Sequence, residues 1–235
     1  MAGKKSKIDT WLEKETSHKQ KALENASRYF DSKDALTVNI LESIYGQESS
    51  FGDNRRQRGL TGAAGDFQIE KNTAVRFGLI VTKGNDQRFD IDDASRAAAQ
   101  YLKGLDNAFR DGSKLGGDLK TIGISDPFER AKFTLAAYNG GEGRVAQAQL
   151  KAQADGKDPH KWDDVKNYLE VAGANPAKVS EIQKYVEEVL QNSKEFSEKS
   201  KADKNAKERK PLKTKTNSPG GRWITKDSRH IPLGD

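Results

Sequence analysis

The chain has 235 residues and a mean hydropathy of −0.90, and no segment has the length and apolar character of a membrane span. It contains no cysteine, which excludes disulfides and thiol chemistry, and three scattered histidines predict no metal site. The net charge of +6 comes from residues 193–235, which hold 12 of the 41 Lys and Arg but 6 of the 35 Asp and Glu. The basic N-terminus lacks an apolar h-region, so we expect no secretory signal peptide.

The N-terminal segment has the pattern of one lead-in helix over residues 7–29. Ser32 or Asp34 can cap the next helix, which we predict to end at about Ser50. Three- and four-residue spacing gives that helix one inward stripe, made of Leu41, Ile44, Tyr45, Glu48 and Phe51. A carboxyl group on an inward face loses hydration, which raises its pKa and suits it to act as a general acid. The alternative is that the helix frays before Glu48 and leaves the side chain in water.

Two loops follow this helix. Residues 52–59 form a polar loop whose arginines either meet an anionic substrate or are simply solvated. Residues 62–69, G-A-A-G-D-F-Q-I, contain two glycines that allow close backbone approach. Gln68 offers a donor and an acceptor, which suits sugar hydroxyl and N-acetyl groups, and a purely structural turn is the alternative.

The middle of the chain is predicted to be helical. Residues 90–109 have acids in the first turn and an apolar stripe, which indicates a scaffold helix. Asp126 and Pro127 start another helix, whose predicted inward stripe is Phe128, Ala131, Leu135 and Tyr138. That helix ends in A-Y-N-G-G, where Tyr138 and Asn139 could form a sugar platform or, alternatively, a core tyrosine and a cap.

Further helices are predicted over residues 144–154, 161–171 and 179–199. From Ser193 the composition is that of a flexible basic linker, and the last residues alternate like a short hairpin around Lys226. A basic tail can contact nucleic acid, anionic lipid or a cell-wall polymer, with a solvated linker as the alternative. The predicted division is 1–31 for the lead-in helix, 32–192 for the main domain and 193–235 for the linker and hairpin.

Four segments together resemble the lytic transglycosylase family, whose fold is lysozyme-like. Glu48-Ser49 resembles its E-S motif, and residues 65–69, G-D-F-Q-I, resemble its G-L-M-Q-I motif. Residues 137–141, A-Y-N-G-G, resemble its A-Y-N-x-G motif, and residues 180–186 resemble its later E-T-x-x-Y-V segment. The order is that of the family. The resemblance implies a lysozyme-like helical domain. With the patterns at the two ends, the predicted fold is mainly α, with an N-terminal lead-in helix and a basic, largely flexible C-terminal tail.

The resemblance also implies an activity. Glu48 would be the single acid and base: it would protonate the glycosidic oxygen between N-acetylmuramic acid and N-acetylglucosamine. It would then deprotonate the C6 hydroxyl, which attacks C1 and forms a 1,6-anhydro sugar. Ser49 would steady the local geometry. No cofactor is implied. The residues expected to bind or orient glycan are Ser49, Phe67, Gln68, Tyr138, Asn139, Glu181 and Tyr185.

The sequence departs from the family pattern at several positions. Asp66 and Phe67 stand where the family has Leu and Met, and Gly59 and Thr61 occupy the loop where a serine is often found. Asp66 is a second carboxylate that could activate water, as in the goose-type lysozymes that share this fold and hydrolyse; Asp53 is a weaker candidate. A third hypothesis is a module that binds glycan without cutting it, against which the intact Glu48 argues.

The expected partner is the glycan strand of peptidoglycan, and nucleic acid is not expected. A wall-cutting enzyme without a signal peptide resembles phage lysins and virion-associated wall-degrading proteins. We therefore expect a protein made in the cytoplasm that acts on the cell wall as a virion component or a released lysin. In the former case, the C-terminal tail would contact a virion or assembly partner.

Overall fold

The structure is a computed structural model that describes residues 5–170 and 172–208. Over those ranges it is mainly α, as predicted, with one small antiparallel sheet in which Lys114 pairs with Lys120. No helix in the same ranges combines the length and the apolar character needed to cross a bilayer. The elements are α1 Lys7–Leu12, α2 Ser17–Ala26, α3 Val38–Ser49, α4 Lys71–Arg76, α5 Ile91–Asp111, β1 Lys114–Gly116, β2 Leu119–Lys120, α6 Pro127–Gly140, α7 Glu142–Ala154, α8 Trp162–Val165 and α9 Pro176–Glu208. Short 3₁₀ turns lie at Ser27–Tyr29, Gln87–Phe89 and Lys166–Leu169.

One apolar core joins the long helices. Helix α5 packs on α2 and α6, and α9 packs along α3 and α6. The predicted scaffold helix is confirmed: the Asp90 side chain accepts the Asp93 N–H at the start of α5, and Gly112, with φ of 69°, ends it. Fully buried side chains from several helices meet in this core, among them Leu41, Ile44, Leu102, Phe133 and Val189.

The lead-in segment is two helices rather than one. Helix α1 ends at Leu12, and Thr16 accepts the Lys19 N–H to start α2. A side-chain cap of this kind starts a new helix because it satisfies a free backbone donor. Trp11 of α1 stacks on Phe51 and on Phe196 of α9, with ring centroids 6.0 and 6.4 Å apart.

Helix α3 also starts later than predicted. The cap is Thr37, whose side chain accepts the Ile40 N–H, and not Ser32 or Asp34 as predicted. The Asp34 carboxylate instead accepts the Lys103 ammonium at 2.6 Å, because α5 brings that cation to it. The inward stripe itself is confirmed by the full burial of Leu41, Ile44 and Tyr45.

The stripe predicted for α6 is wrong at its first member. Asp126 caps the helix as expected, and Ala131 and Leu135 are buried. Phe128, however, is 74% exposed. It lies in the first turn of α6, at the rim of a shallow groove between α3, α6 and α9, and not in the core.

The predicted helix over residues 179–199 is confirmed and continues to Glu208 as α9, so the linker composition that begins at Ser193 does not form a linker in residues 193–208. The helix extends because Phe196, only 3% exposed, carries the apolar stripe on to the rings of Trp11 in α1 and of Phe51 just after α3. The Ser6 hydroxyl also donates to Glu195 at 2.8 Å, tying α1 to the extension. The predicted hairpin around Lys226 lies outside the described residues, and the three-part division of the chain stays a prediction.

Candidate active site

A cleft of about 840 Å³ opens between the C-terminal end of α3, the loop that follows it, the end of α6 and the first half of α9. Six residues that the sequence singled out line it together, although they lie far apart in the chain. They are Glu48, Gln68, Tyr138, Asn139, Glu181 and Tyr185. The described part of the chain holds no cluster of three or more His, Cys, Asp or Glu side chains suited to a metal ion.

Glu48 lies on the last turn of α3, so the helix does not fray before it. The Tyr185 hydroxyl donates to its Oε1 at 2.7 Å. Burial of the carboxyl group raises the pKa of Glu48 to about 7; the Tyr185 hydrogen bond opposes this rise and the nearby Glu181 charge adds to it. Near neutral pH this carboxyl group can therefore both give and take a proton.

Two tyrosines support the Glu48 side of the cleft. Burial raises the pKa of Tyr138 and Tyr185 well above the usual value, so both phenols stay neutral. The Tyr138 hydroxyl donates to the Phe67 carbonyl at 3.0 Å, and its ring packs against Tyr101 with centroids 5.3 Å apart. The Tyr138 ring is thus fixed, and the buried Tyr185 holds the carboxyl group of Glu48.

Gln68 has an unusual backbone, with φ of 46°. Its side-chain Nε2 donates to the carbonyls of Arg56 and Gly65, both at 2.9 Å. The two N–H groups of the amide are therefore used to fix the loop. Its oxygen has no partner among the described residues, which leaves an acceptor available in the cleft.

Asn139 and Glu181 belong to one polar network, and its centre is a residue that sequence reasoning missed. The Lys178 ammonium donates to Asn139 Oδ1 at 3.1 Å and to Glu181 Oε1 at 2.8 Å. Although burial acts to raise it, the pKa of Glu181 is lowered by the Lys178 hydrogen bond, so this carboxylate is charged. The three-residue spacing of Lys178 and Glu181 at the start of α9 was the available signal.

Ser49 and Phe67 lie behind the cleft. The Ser49 hydroxyl is 1% exposed; it donates to the Tyr45 carbonyl at 3.2 Å and accepts the Gly52 N–H at 3.1 Å. Phe67 is fully buried and packs on Tyr45, with ring centroids 5.4 Å apart. These positions fit a supporting role, and they do not favour contact of either side chain with a ligand.

The second carboxylate expected near the site points elsewhere. Asp66 is fully buried, and its Oδ1 accepts the Arg55 guanidinium at 2.7 Å. It does not line the cleft, because the turn at Gly65, with φ of 79°, directs it to the other side of the loop. Asp53 pairs with Lys14 on the surface. The structure therefore gives no support to either carboxylate as an activator of water in this cleft.

Residues 26–161 match the transglycosylase SLT domain. The chain is 31% identical over 132 residues to a membrane-bound lytic murein transglycosylase F of Desulfosudis oleivorans, covering 56% of this chain and 25% of that protein. It is 32% identical over 135 residues to the peptidoglycan transglycosylase gp16 of Escherichia phage T7, covering 57% of this chain and 9% of that protein.

A third relative, the membrane-bound lytic murein transglycosylase F of Thiobacillus denitrificans, is 32% identical over 130 residues, covering 55% of this chain and 23% of that protein. The chain thus spans about a quarter or less of the length of these relatives. The matched range supplies Glu48, Gln68, Tyr138 and Asn139, whereas α9 adds the side chains on the opposite wall. Since the match covers more than half of the sequence, the chain belongs to the transglycosylase SLT domain family.

Proposed function

We propose that this protein is a peptidoglycan lytic transglycosylase. It cleaves the β-1,4 bond between N-acetylmuramic acid and N-acetylglucosamine and leaves a 1,6-anhydromuramic end. The observation that carries this proposal is the carboxyl group of Glu48, which lines the cleft with a pKa raised to about 7 and a hydrogen bond from Tyr185. The relatives named as lytic murein transglycosylases, and the phage relative named as a peptidoglycan transglycosylase, support the same reaction.

The reaction needs one carboxyl group that changes its protonation state twice. Protonated Glu48 donates its proton to the glycosidic oxygen as the bond from that oxygen to C1 breaks. The resulting carboxylate accepts a hydrogen bond from Tyr185, which stabilises the charge. It then takes the proton of the muramic C6 hydroxyl, and the oxygen of that hydroxyl bonds to C1. Glu48 is protonated again at the end, and no water is consumed.

The remaining polar groups of the cleft orient the glycan. The uncommitted oxygen of Gln68 accepts a hydrogen bond from a sugar hydroxyl or N-acetyl group. Tyr138, Asn139 and Glu181 face the same space, and Lys178 positions two of them. We assign Ser49 and Phe67 to the support of the turn that carries these groups.

Hydrolysis of the goose-lysozyme type is not favoured. It would need a second carboxylate facing the cleft to activate water, and Asp66 is buried against Arg55 instead. Glu181 does face the cleft, but Lys178 and Asn139 already engage its Oε1. The raised pKa of Glu48 also favours a catalyst over a module that only binds glycan, because binding alone requires no proton transfer.

The proposal predicts a specific pH dependence. Because the reaction starts from protonated Glu48, kcat/KM on purified peptidoglycan should fall about tenfold per pH unit above a pKa near 7. The rate at which soluble fragments are released, measured between pH 5 and 9, gives this alkaline limb of the pH profile, the range over which kcat/KM falls. Activity that stays constant up to pH 9 would show that Glu48 is not the acid.

The Tyr185→Phe variant tests the origin of that limb. The Tyr185 hydrogen bond lowers the pKa of Glu48, so its loss should move the limb to higher pH. We also expect kcat to fall about tenfold, because the carboxyl group is less well held. The matched variant Tyr138→Phe removes a hydroxyl that bonds to the Phe67 carbonyl, so it should leave the limb in place.

We further propose that the protein reaches the wall as a virion component, with residues 209–235 as the contact to an assembly partner. The phage relative and the excess positive charge of this segment support the idea. Mass spectrometry of purified phage particles should find the chain. Its absence from particles would favour a released lysin.

A further inference from the structure

A buried ion pair lies behind the loop that carries Gln68. Asp66 is fully buried, and its Oδ1 accepts the Arg55 Nε–H at 2.7 Å. Its Oδ2 is also buried and has no hydrogen-bond partner in the described part of the chain. The cost of taking a carboxylate out of water offsets much of its attraction to a cation, so such a pair adds little to the free energy of unfolding. This points to a role other than stabilisation.

The pair joins three segments of the chain. Arg55 lies in the loop after α3, and Asp66 lies in the loop of residues 62–69. The Arg55 Nη1 donates at 3.2 Å to the carbonyl of Phe89, which lies just before α5. One guanidinium group thus ties both loops to the start of the scaffold helix.

Gln68 is bonded next to both partners of this pair. Its Nε2 donates at 2.9 Å to the carbonyl of Arg56, the residue after Arg55. The same carbonyl accepts at 3.3 Å the N–H of Gly65, the residue before Asp66. A shift of one loop against the other would therefore turn the Gln68 amide, which lines the cleft.

The pair also packs against the turn that follows Glu48. The backbone of this turn is left-handed at residues 50–52, with φ of 52°, 61° and 89°. A Cβ added at Gly52 would lie 3.2 Å from Asp66 Oδ1 and 3.1 Å from Arg55 Nη2. Left-handed residues other than glycine persist only where their surroundings hold them. The ion pair therefore links the end of α3, which carries Glu48, to the loop that carries Gln68.

We propose that Asp66 and Arg55 are positioning residues that hold the side-chain oxygen of Gln68 at a fixed place in the cleft relative to Glu48. The inference rests on the proposed function, in which Gln68 accepts a hydrogen bond from the sugar and Glu48 transfers the proton. Neither Asp66 nor Arg55 is among the main groups that act on the pKa of Glu48. Loss of the pair should therefore weaken glycan binding and leave proton transfer intact.

A double-mutant cycle on Asp66 and Gln68 tests this role, with kcat and KM measured on soluble, uncross-linked glycan strands. Asp66→Leu introduces the residue that the family motif has at this position, and Arg55, 34% exposed, can then turn to water. We expect it to raise KM about five- to tenfold, the effect of one weakened hydrogen bond, with kcat changed by less than about twofold and the alkaline limb unmoved. Gln68→Ala should raise KM at least as much, and the double variant no further than Gln68→Ala alone.

The chain offers a matched ion pair as a control. Arg130 Nε donates to Asp106 Oδ1 at 2.7 Å, and Asp106 is also fully buried, with an Oδ2 that lacks a partner among the described residues. Neither residue lines the cleft. Asp106→Asn should lower the melting temperature, because it weakens the partner of a buried cation, without changing KM. The same change at the first pair, Asp66→Asn, should raise KM.

Arg55→Lys provides a second test at a partly exposed position, where the substitution is tolerated by the fold even if Asp66→Leu is not. Lysine keeps the charge, but its single ammonium group cannot replace both Nε and Nη1 of the guanidinium. We expect KM to rise by a smaller factor, about threefold, with the alkaline limb again unmoved.

Several results would overturn the positioning role. They are an unchanged KM in Asp66→Leu or in Gln68→Ala, independent multiplicative effects on KM in the cycle, and an equal rise of KM in Asp106→Asn. A loss of kcat in Asp66→Leu at unchanged KM would also overturn it, since it would assign Asp66 to the chemical step. The proposed function is tested separately, because only the absence of 1,6-anhydro products from the unmodified protein would reject it.

Discussion

Replacing Glu48 with Gln should reduce the turnover of peptidoglycan by roughly a thousandfold or more. The amide keeps the size of the side chain and can still accept the Tyr185 hydrogen bond, but it cannot give a proton to the glycosidic oxygen. Folding should not suffer, because the substitution removes a buried carboxyl group whose ionisation burial disfavours. The measurement is the rate of release of soluble fragments by the variant and the unmodified protein.

Helix α3 supplies a matched control in Glu42. Burial, followed by the charges of Glu15 and Glu24, raises the pKa of Glu42 to about 8, so its environment is comparable. Its side chain lies outside the cleft, and Glu42→Gln should retain the activity of the unmodified protein. Unchanged turnover in Glu48→Gln, or an equal loss in both variants, would contradict the assignment of Glu48 as the acid.

Replacing Gly65 with Ala should lower the free energy of unfolding by about 3 kcal/mol or more. Gly65 has φ of 79°, and a Cβ added there would lie 1.8 Å from the Arg88 carbonyl oxygen. The neighbouring Asp66 N–H donates to that same carbonyl at 3.1 Å, so the loop at Gly65 cannot move away from Arg88 without losing this hydrogen bond. Urea denaturation of the variant and the unmodified protein measures the loss.

Gly59→Ala separates the clash from the backbone strain. Gly59 has φ of 68°, but a Cβ there would meet no atom within 4 Å. We expect this variant to lose about 1 kcal/mol, the cost of the left-handed conformation alone. If Gly65→Ala were no less stable than Gly59→Ala, the close packing of residues 65–69 against Arg88 would be refuted.

Features set by local sequence were predictable. The start of α6 at Asp126 and Pro127, and the burial of Leu41 and Ile44, follow from capping chemistry and helical spacing. The motifs also identified six side chains that the fold brings to one cleft; three of them, Glu48, Tyr138 and Asn139, lie at the C-terminal ends of α3 and α6.

Features set by distant partners were not predictable. Asp34 does not cap α3 because Lys103 of α5 takes its carboxylate. Helix α9 continues beyond Ser193, although the sequence there is polar, because Phe196 packs on Trp11, a residue near the N-terminus. Asp66 looked like a site residue in the sequence. Only the path of the loop shows that it faces Arg55.

Mass spectrometry of the soluble fragments released from purified peptidoglycan distinguishes attack by the C6 hydroxyl from attack by water. A single acid at Glu48, with Asp66 held by Arg55 and Glu181 by Lys178, predicts products that end in 1,6-anhydromuramic acid. These products are lighter by one water than the corresponding reducing-end sugars. Fragments with reducing muramic ends would contradict the transglycosylase mechanism and would show that a group in the cleft activates water.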